Sequence, residues 1–112
     1  MSSFSTHVLD AALGRPAAGI PVALSRSVGA GWTEIASGTT DDDGRWRAPE
    51  SAALIAGSDH RITFDTAAYL QSSGRAPFYP EVVVTFRPAT TERHHHVPLL
   101  LSPFSYSTYL GS

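Results

Sequence analysis

The chain has 112 residues, no cysteine and a formal net charge of −2, set by ten acidic residues against eight arginines with no lysine. That length suits a single domain, 1–112, burying roughly two thirds of its unfolded surface. The composition excludes disulfides, thiolate ligands and a thiol nucleophile, and it argues against nucleic-acid or anionic-membrane partners, which need a basic face.

The opening MSSFSTHVLD has neither the basic n-region nor the apolar h-region of a signal peptide. No stretch approaches the ~20 apolar residues of a membrane span. The expectation is a soluble, cytoplasmic protein, and the lack of cysteine fits a reducing compartment. STHVLD reads as a first short strand and ALGRPAAG as a turn. IPVALSRS alternates Ile20, Val22 and Leu24 with polar or small residues, the period-two pattern of a strand. VGAG turns the chain and WTEIASGTT is the next strand. DDDG is a turn, because Asp bonds its own backbone and Gly44 tolerates positive φ. RWRAP follows as a short strand, with Arg45 and Arg47 on one face and Trp46 on the other.

ESAALIAG reads as one helical turn or a loop. DHRITFDT alternates again, Ile62 and Phe64 against Arg61, Thr63 and Asp65; His60 carries no motif and reads as a surface residue. TAAYLQSSG predicts a short helix, capped by Thr66 and stopped at Gly74. In FYPEV, Pro80 opens a strand, and Phe78 and Tyr79 are expected to cover the edge of the core. EVVVTFRP and HHHVPLLL carry the strongest strand signals. Pro98 inside the latter implies an edge or a bulge, and Leu99 and Leu101 read as core or interface. Some seven strands and one short helix predict an antiparallel β-sandwich.

On a strand, His94 and His96 share a face and His95 points the other way. From spacing alone three readings stand: solvated or structural rings, a zinc site completed by His7, or acid–base catalysis. The last stretch, YSTYLGS, stays strand-like to its end, with Tyr106, Thr108 and Leu110 on one face and Ser105, Ser107, Tyr109 and Gly111 on the other.

The words THVLDAALGRPAAGIPVAL, TDDDGRW, FDTAAYL, FYPEVVVTF and HHHVPLLLSPFSYSTYLGS stand in the order and spacing of the 5-hydroxyisourate hydrolases, which the chain resembles from Ser5 to Ser112. The resemblance implies a transthyretin-like sandwich of two four-stranded sheets with one short helix. It implies hydrolysis of 5-hydroxyisourate to 2-oxo-4-hydroxy-4-carboxy-5-ureidoimidazoline, in urate breakdown. It also implies a homotetramer with sites at the dimer–dimer interface, and no metal or organic cofactor. The family's catalytic set maps to His7, Arg45 and His96, with His7, Arg45, Tyr109 and Ser112 binding substrate. His95 stands where the family often has an aromatic and reads as a packing substitute. Leu110 stands where the family has Arg. The alternative is a small-molecule carrier on the same fold, with hydrolase activity weakened or lost, and Leu110 leans that way. A zinc-dependent hydrolase is a third reading.

Such chemistry suits these side chains. Opening a urate-like ring requires a water deprotonated near neutral pH, the range of imidazole. The oxyanion that develops is stabilised by a fixed guanidinium, whose fork also fits a planar, acceptor-rich ring.

Overall fold

The computed structural model describes residues 3–112. In chain order these form β1 (Ser3–Asp10), β2 (Arg15–Pro16), β3 (Pro21–Val28), β4 (Gly31–Thr39), β5 (Arg45–Arg47), β6 (His60–Asp65), α1 (Ala67–Ser72), β7 (Glu81–Phe86), β8 (His94–Ser102) and β9 (Ser105–Thr108). One sheet has the order β4-β3-β6-β7; the other runs β2-β1-β8-β9, with β5 also paired to β1. β2 pairs with Leu9 and Asp10, and β5 with Ser5, Thr6 and His7. The two short strands therefore lie end to end along one edge of β1, and this sheet of five strands is four strands wide. Residues 15–16, predicted as part of a turn, supply the extra strand.

The sandwich is not wholly antiparallel, since β1 and β8 run parallel over eight residue pairs. They come from opposite ends of the chain, so no hairpin dictates their direction. The core lies between the sheets: Phe4 and Val8 of β1 with Val97, Leu99 and Leu101 of β8 meet Val22, Leu24, Ile62, Phe64 and Val82. Burial alternates strictly along β1, which leaves Ser3, Ser5, His7 and Leu9 facing outward. Segment 48–59 is a loop, not a helical turn.

His60 corrects the sequence reading, being fully buried. It shares the inner parity of Ile62 and Phe64 and stacks on Phe86, ring centroids 5.5 Å apart. Its Nε2 accepts from the Ile55 N–H at 3.3 Å and its Nδ1 donates to the Ser58 carbonyl at 2.9 Å, so the ring pins the loop before β6. Burial holds it below the usual imidazole range.

The helix ends as expected at Gly74, at φ +72. The Arg75 N–H bonds the Leu70 carbonyl and the Gly74 N–H that of Gln71, a Schellman closure. Thr66 precedes the helix, yet its hydroxyl donates to the Tyr79 carbonyl at 2.6 Å rather than capping. Arg75 then reaches back to the buried Asp10, Nη2 to Oδ2 at 2.6 Å and Nη1 to Oδ1 at 3.1 Å, while the Tyr69 hydroxyl donates to Oδ2 at 2.7 Å. This clasp joins α1 to the end of β1.

Pro98 does not lie on an edge strand, since β8 has β1 on one side and β9 on the other. It occupies a lapse in the β8·β9 ladder, between the pairs Leu99↔Thr108 and His96↔Gly111, where no N–H is called for. The Thr108 hydroxyl donates to the Pro98 carbonyl at 2.7 Å across the gap. Phe78 does not cover the core but is exposed beside Phe104, with Tyr79 and Tyr106 continuing the aromatic cluster.

His95 faces inward, as its alternation requires, and is 5% exposed. Its buried Nδ1 finds no hydrogen-bond partner among the described residues. Such a group destabilises by about 1–3 kcal/mol. His95→Phe is therefore expected to raise stability by about 1 kcal/mol in urea unfolding and to leave catalysis unchanged.

Candidate active site

The outward face of the β1–β5–β8 region gathers His7, Arg45, His94 and His96. Across β1 and β5, His7 is paired with Arg45 and Ser5 with Arg47. Across β1 and β8, Ser3 stands beside His94, Ser5 beside His96 and His7 beside Pro98. His7 is thus a diagonal neighbour of His96, close enough for their charges to interact. A pocket of about 220 Å³ opens here, lined among others by Ser5, Arg45, Arg47 and His96.

The DDDG turn mounts two of these residues. The Asp41 carboxylate accepts from the backbone N–H groups of Asp43 and Arg45, both at 2.9 Å, and Gly44 lies at φ +76. Any Cβ there would strike the Val8 carbonyl, so glycine is required for space as well as for φ. His7 Nε2 lies 2.9 Å from the Asp43 carbonyl. A carbonyl only accepts, so Nε2 carries the proton and Nδ1 is bare in the neutral ring.

His96 is half-buried. Burial, then the charges of His7 and Arg45, hold its pKa below the usual 6.5, against the opposing pull of the Ser5 backbone. His94 is lowered likewise, by burial and then by Arg47, His96, His95 and Arg93. Both rings are therefore neutral near pH 7, the form that accepts a proton. Ser3 and Ser5 bond these rings. Sequence reading passed over both serines, although Ser5 lies two residues before His7 on the same face of a strand.

The end of the chain closes on the site through Gly111. Its N–H donates to the His96 carbonyl at 2.7 Å, and a Cβ would come within 2.8 Å of His96 Cδ2. Arg93 Nη2 donates to the Gly111 carbonyl at 3.2 Å. Ser112 follows, exposed. Tyr109 and Leu110 lie elsewhere: they line a separate pocket of about 360 Å³ together with Val84, Phe86, His95 and Val97. Within one chain, then, the fold brings together His7, Arg45 and His96, sets Ser112 one residue from the Gly111–His96 contact, and keeps Tyr109 apart. Among the described residues no group of three His, Cys, Asp or Glu side chains is placed to hold a metal, and no helix is long and apolar enough to cross a membrane.

A description of the HIUase/Transthyretin family matches residues 4–111, and the chain belongs to that family. It is 46% identical over 110 residues to the 5-hydroxyisourate hydrolase of Salmonella typhimurium, covering 96% of this chain and 79% of that one. Among solved structures it resembles the 5-hydroxyisourate hydrolase of Klebsiella pneumoniae, with TM-score 0.84, 31% identity and coverage of 99% and 100% of the two chains. It also resembles the transthyretin of Sparus aurata, with TM-score 0.85, 34% identity and coverage of 96% and 95%.

Proposed function

We propose that this protein hydrolyses 5-hydroxyisourate to 2-oxo-4-hydroxy-4-carboxy-5-ureidoimidazoline, as a cytoplasmic homotetramer of single-domain chains. The observation that carries the reading is the convergence of His7, Arg45 and His96 on one outward face, in a chain 46% identical to a hydrolase of that name.

His96 is the base. Its Nδ1 is engaged by Ser5, so Nε2 takes the proton of a water whose oxygen adds to the ring carbonyl. Arg45 stabilises the oxyanion that forms. The carbonyl is restored as the ring C–N bond breaks, and the departing nitrogen receives the proton from His96. His7, held through Nε2 by the Asp43 carbonyl, orients water or substrate. Ser112 binds substrate beside His96. Tyr109 lies away from the pocket of its own chain, so its proposed contact is made across the dimer–dimer interface. A carrier has no need of the His–Arg–His trio, which favours the enzyme over that alternative.

Freshly made 5-hydroxyisourate, followed by ultraviolet absorbance, is expected to decay faster with the protein than without it. Decay at the spontaneous rate in the presence of folded protein would refute the assignment. The exposed aromatic cluster of Phe78, Phe104 and Tyr106 supports assembly; Leu99 and Leu101 do not, being fully in the core. Light scattering is expected to give about 48 kDa, four chains of 11.9 kDa under closed two-fold symmetry.

Leu110 is absorbed without loss on this reading. It joins Phe86 and Val97 at the apolar pocket, and Arg93 holds the tail instead. Leu110→Arg is therefore expected to leave kcat/KM within about twofold, where a charged hydrogen bond to substrate would raise it about 10- to 150-fold.

A further inference from the structure

Three hydrogen bonds join four side chains in a line along the outward face. Ser3 Oγ lies 2.6 Å from His94 Nδ1, His94 Nε2 lies 2.6 Å from Ser5 Oγ, and Ser5 Oγ lies 2.8 Å from His96 Nδ1. Ser5 is the joint between the two rings. A hydroxyl has one proton to give, so Ser5 donates to one ring and accepts from the other. With both rings neutral, two arrangements satisfy every contact. In the first, Ser5 donates to His94 Nε2 and accepts from His96 Nδ1–H; His94 holds its proton on Nδ1 and gives it to Ser3, and His96 Nε2 is left basic. In the second, Ser5 donates to His96 Nδ1 and accepts from His94 Nε2–H; His94 Nδ1 accepts from Ser3, and His96 carries its proton on Nε2. The two rings thus hold their protons on the same-named nitrogen, both δ or both ε.

We propose that Ser5 is a positioning residue that locks the tautomers of His94 and His96 together, so that His96 changes from proton acceptor to proton donor without either ring becoming a cation. This rests on the reading of His96 as the acid–base residue.

The proton count closes. A water proton lands on His96 Nε2, leaving hydroxide to add to the carbonyl. The His96 Nδ1 proton passes to Ser5 Oγ, whose own proton passes to His94 Nε2. The His94 Nδ1 proton passes to Ser3 Oγ, and the Ser3 proton leaves to solvent. Run backwards, the same line returns a proton through His96 Nε2 to the departing ring nitrogen. Avoiding an imidazolium matters here, because Arg45 and His7 act on His96, and Arg47 and Arg93 on His94. Two adjacent rings cannot both become charged beside these guanidiniums without repulsion.

The test is imidazole ¹⁵N NMR of the wild type, Ser5→Ala and Ser5→Thr, with kcat and KM measured separately. The wild type is expected to show both rings as δ or both as ε tautomers. Ser5→Ala is expected to free the two tautomers from each other and to lower kcat by about tenfold or more, a share of the about 100-fold that a positioned base contributes, with KM little changed. Ser5→Thr keeps the hydroxyl and is expected to restore both the coupling and kcat. One δ and one ε ring in the wild type would overturn the proposal, as would a Ser5→Ala variant that keeps wild-type kcat. A wild type with no hydrolase activity would instead overturn the catalytic reading, and the spectra would still decide the coupling.

Discussion

His96→Asn, His7→Asn and Arg45→Ala are each expected to lower kcat/KM by about 100-fold or more, the scale for losing a positioned acid–base or oxyanion group, or about 2.7 kcal/mol of transition-state stabilisation. All three side chains lie on the outward face, so the variants should fold normally. The loss is then chemical, and circular dichroism on the same samples separates it from unfolding. The wild-type profile supplies a second readout. Burial and the neighbouring His7 and Arg45 charges lower the His96 pKa, so its neutral form is lost only in acid. Activity is expected to hold at neutral pH and to fall along a limb lying below 6.5, the ordinary imidazole value. His96→Asn should remove that limb. If His96→Asn stays within tenfold of wild type, His96 is not the base; if His95→Phe proves as damaging, the assignment of faces is wrong.

Arg75→Ala is expected to produce the largest loss of stability, about 3 kcal/mol, because it strands a buried carboxylate. Asp10 is 1% exposed. Burial alone would raise its pKa, but hydrogen bonds from Arg75, Tyr69 and the Leu13 N–H outweigh that and bring it from 3.8 down to about 2. A folded pKa below the unfolded one means stability present above pH 3.8 and lost as pH falls toward 2. The shift corresponds to about 2.5 kcal/mol. The buried imidazoles act earlier. His60 and His95 also have lowered pKa values, and the unfolded rings take up protons first, so stability should start to fall as pH drops through 6.5. Urea unfolding across pH should therefore show two declines. Arg75→Ala should weaken the lower one and reduce the Tm by roughly 10–20 °C for a chain of this size. A Tm within 3 °C of wild type would show that the clasp is ornamental.

Most of the fold was legible because burial imposes a period of two: Ile20, Val22 and Leu24, or Ile62 and Phe64, announce their strands and inner faces. The same rule, pressed one step further, places His60 inside, since it shares the parity of Ile62, whereas its polar residue type alone points to the surface. The parallel pairing of β1 with β8 was not legible. Pairing between the two ends of a chain leaves no local mark, whereas a hairpin leaves a turn. For the site, family resemblance picked His7, Arg45 and His96, and alternation put His94 on the face of His96. What escaped was the support around them. Ser5 and Ser3 are ordinary strand residues until β8 lies in register beside them. Asp41 reads as one turn residue among three until its carboxylate is seen holding the Arg45 backbone. The placement of Leu110 depends on tail geometry that the sequence described only as alternation.

The outward position of the site separates two kinds of selection. What keeps the chain folded lies between the sheets and in the Asp10–Arg75 clasp; what would perform the chemistry lies on a surface that the core does not use. A lineage can therefore lose His7, Arg45 or His96 in single steps at little cost to folding, and the intact scaffold remains free to acquire another occupation for the same face. Natural variation at these three positions should accordingly be tolerated by the fold wherever it is tolerated by the organism, and the presence of hydrolases and transthyretins on one architecture is the divergence that such a division of labour permits.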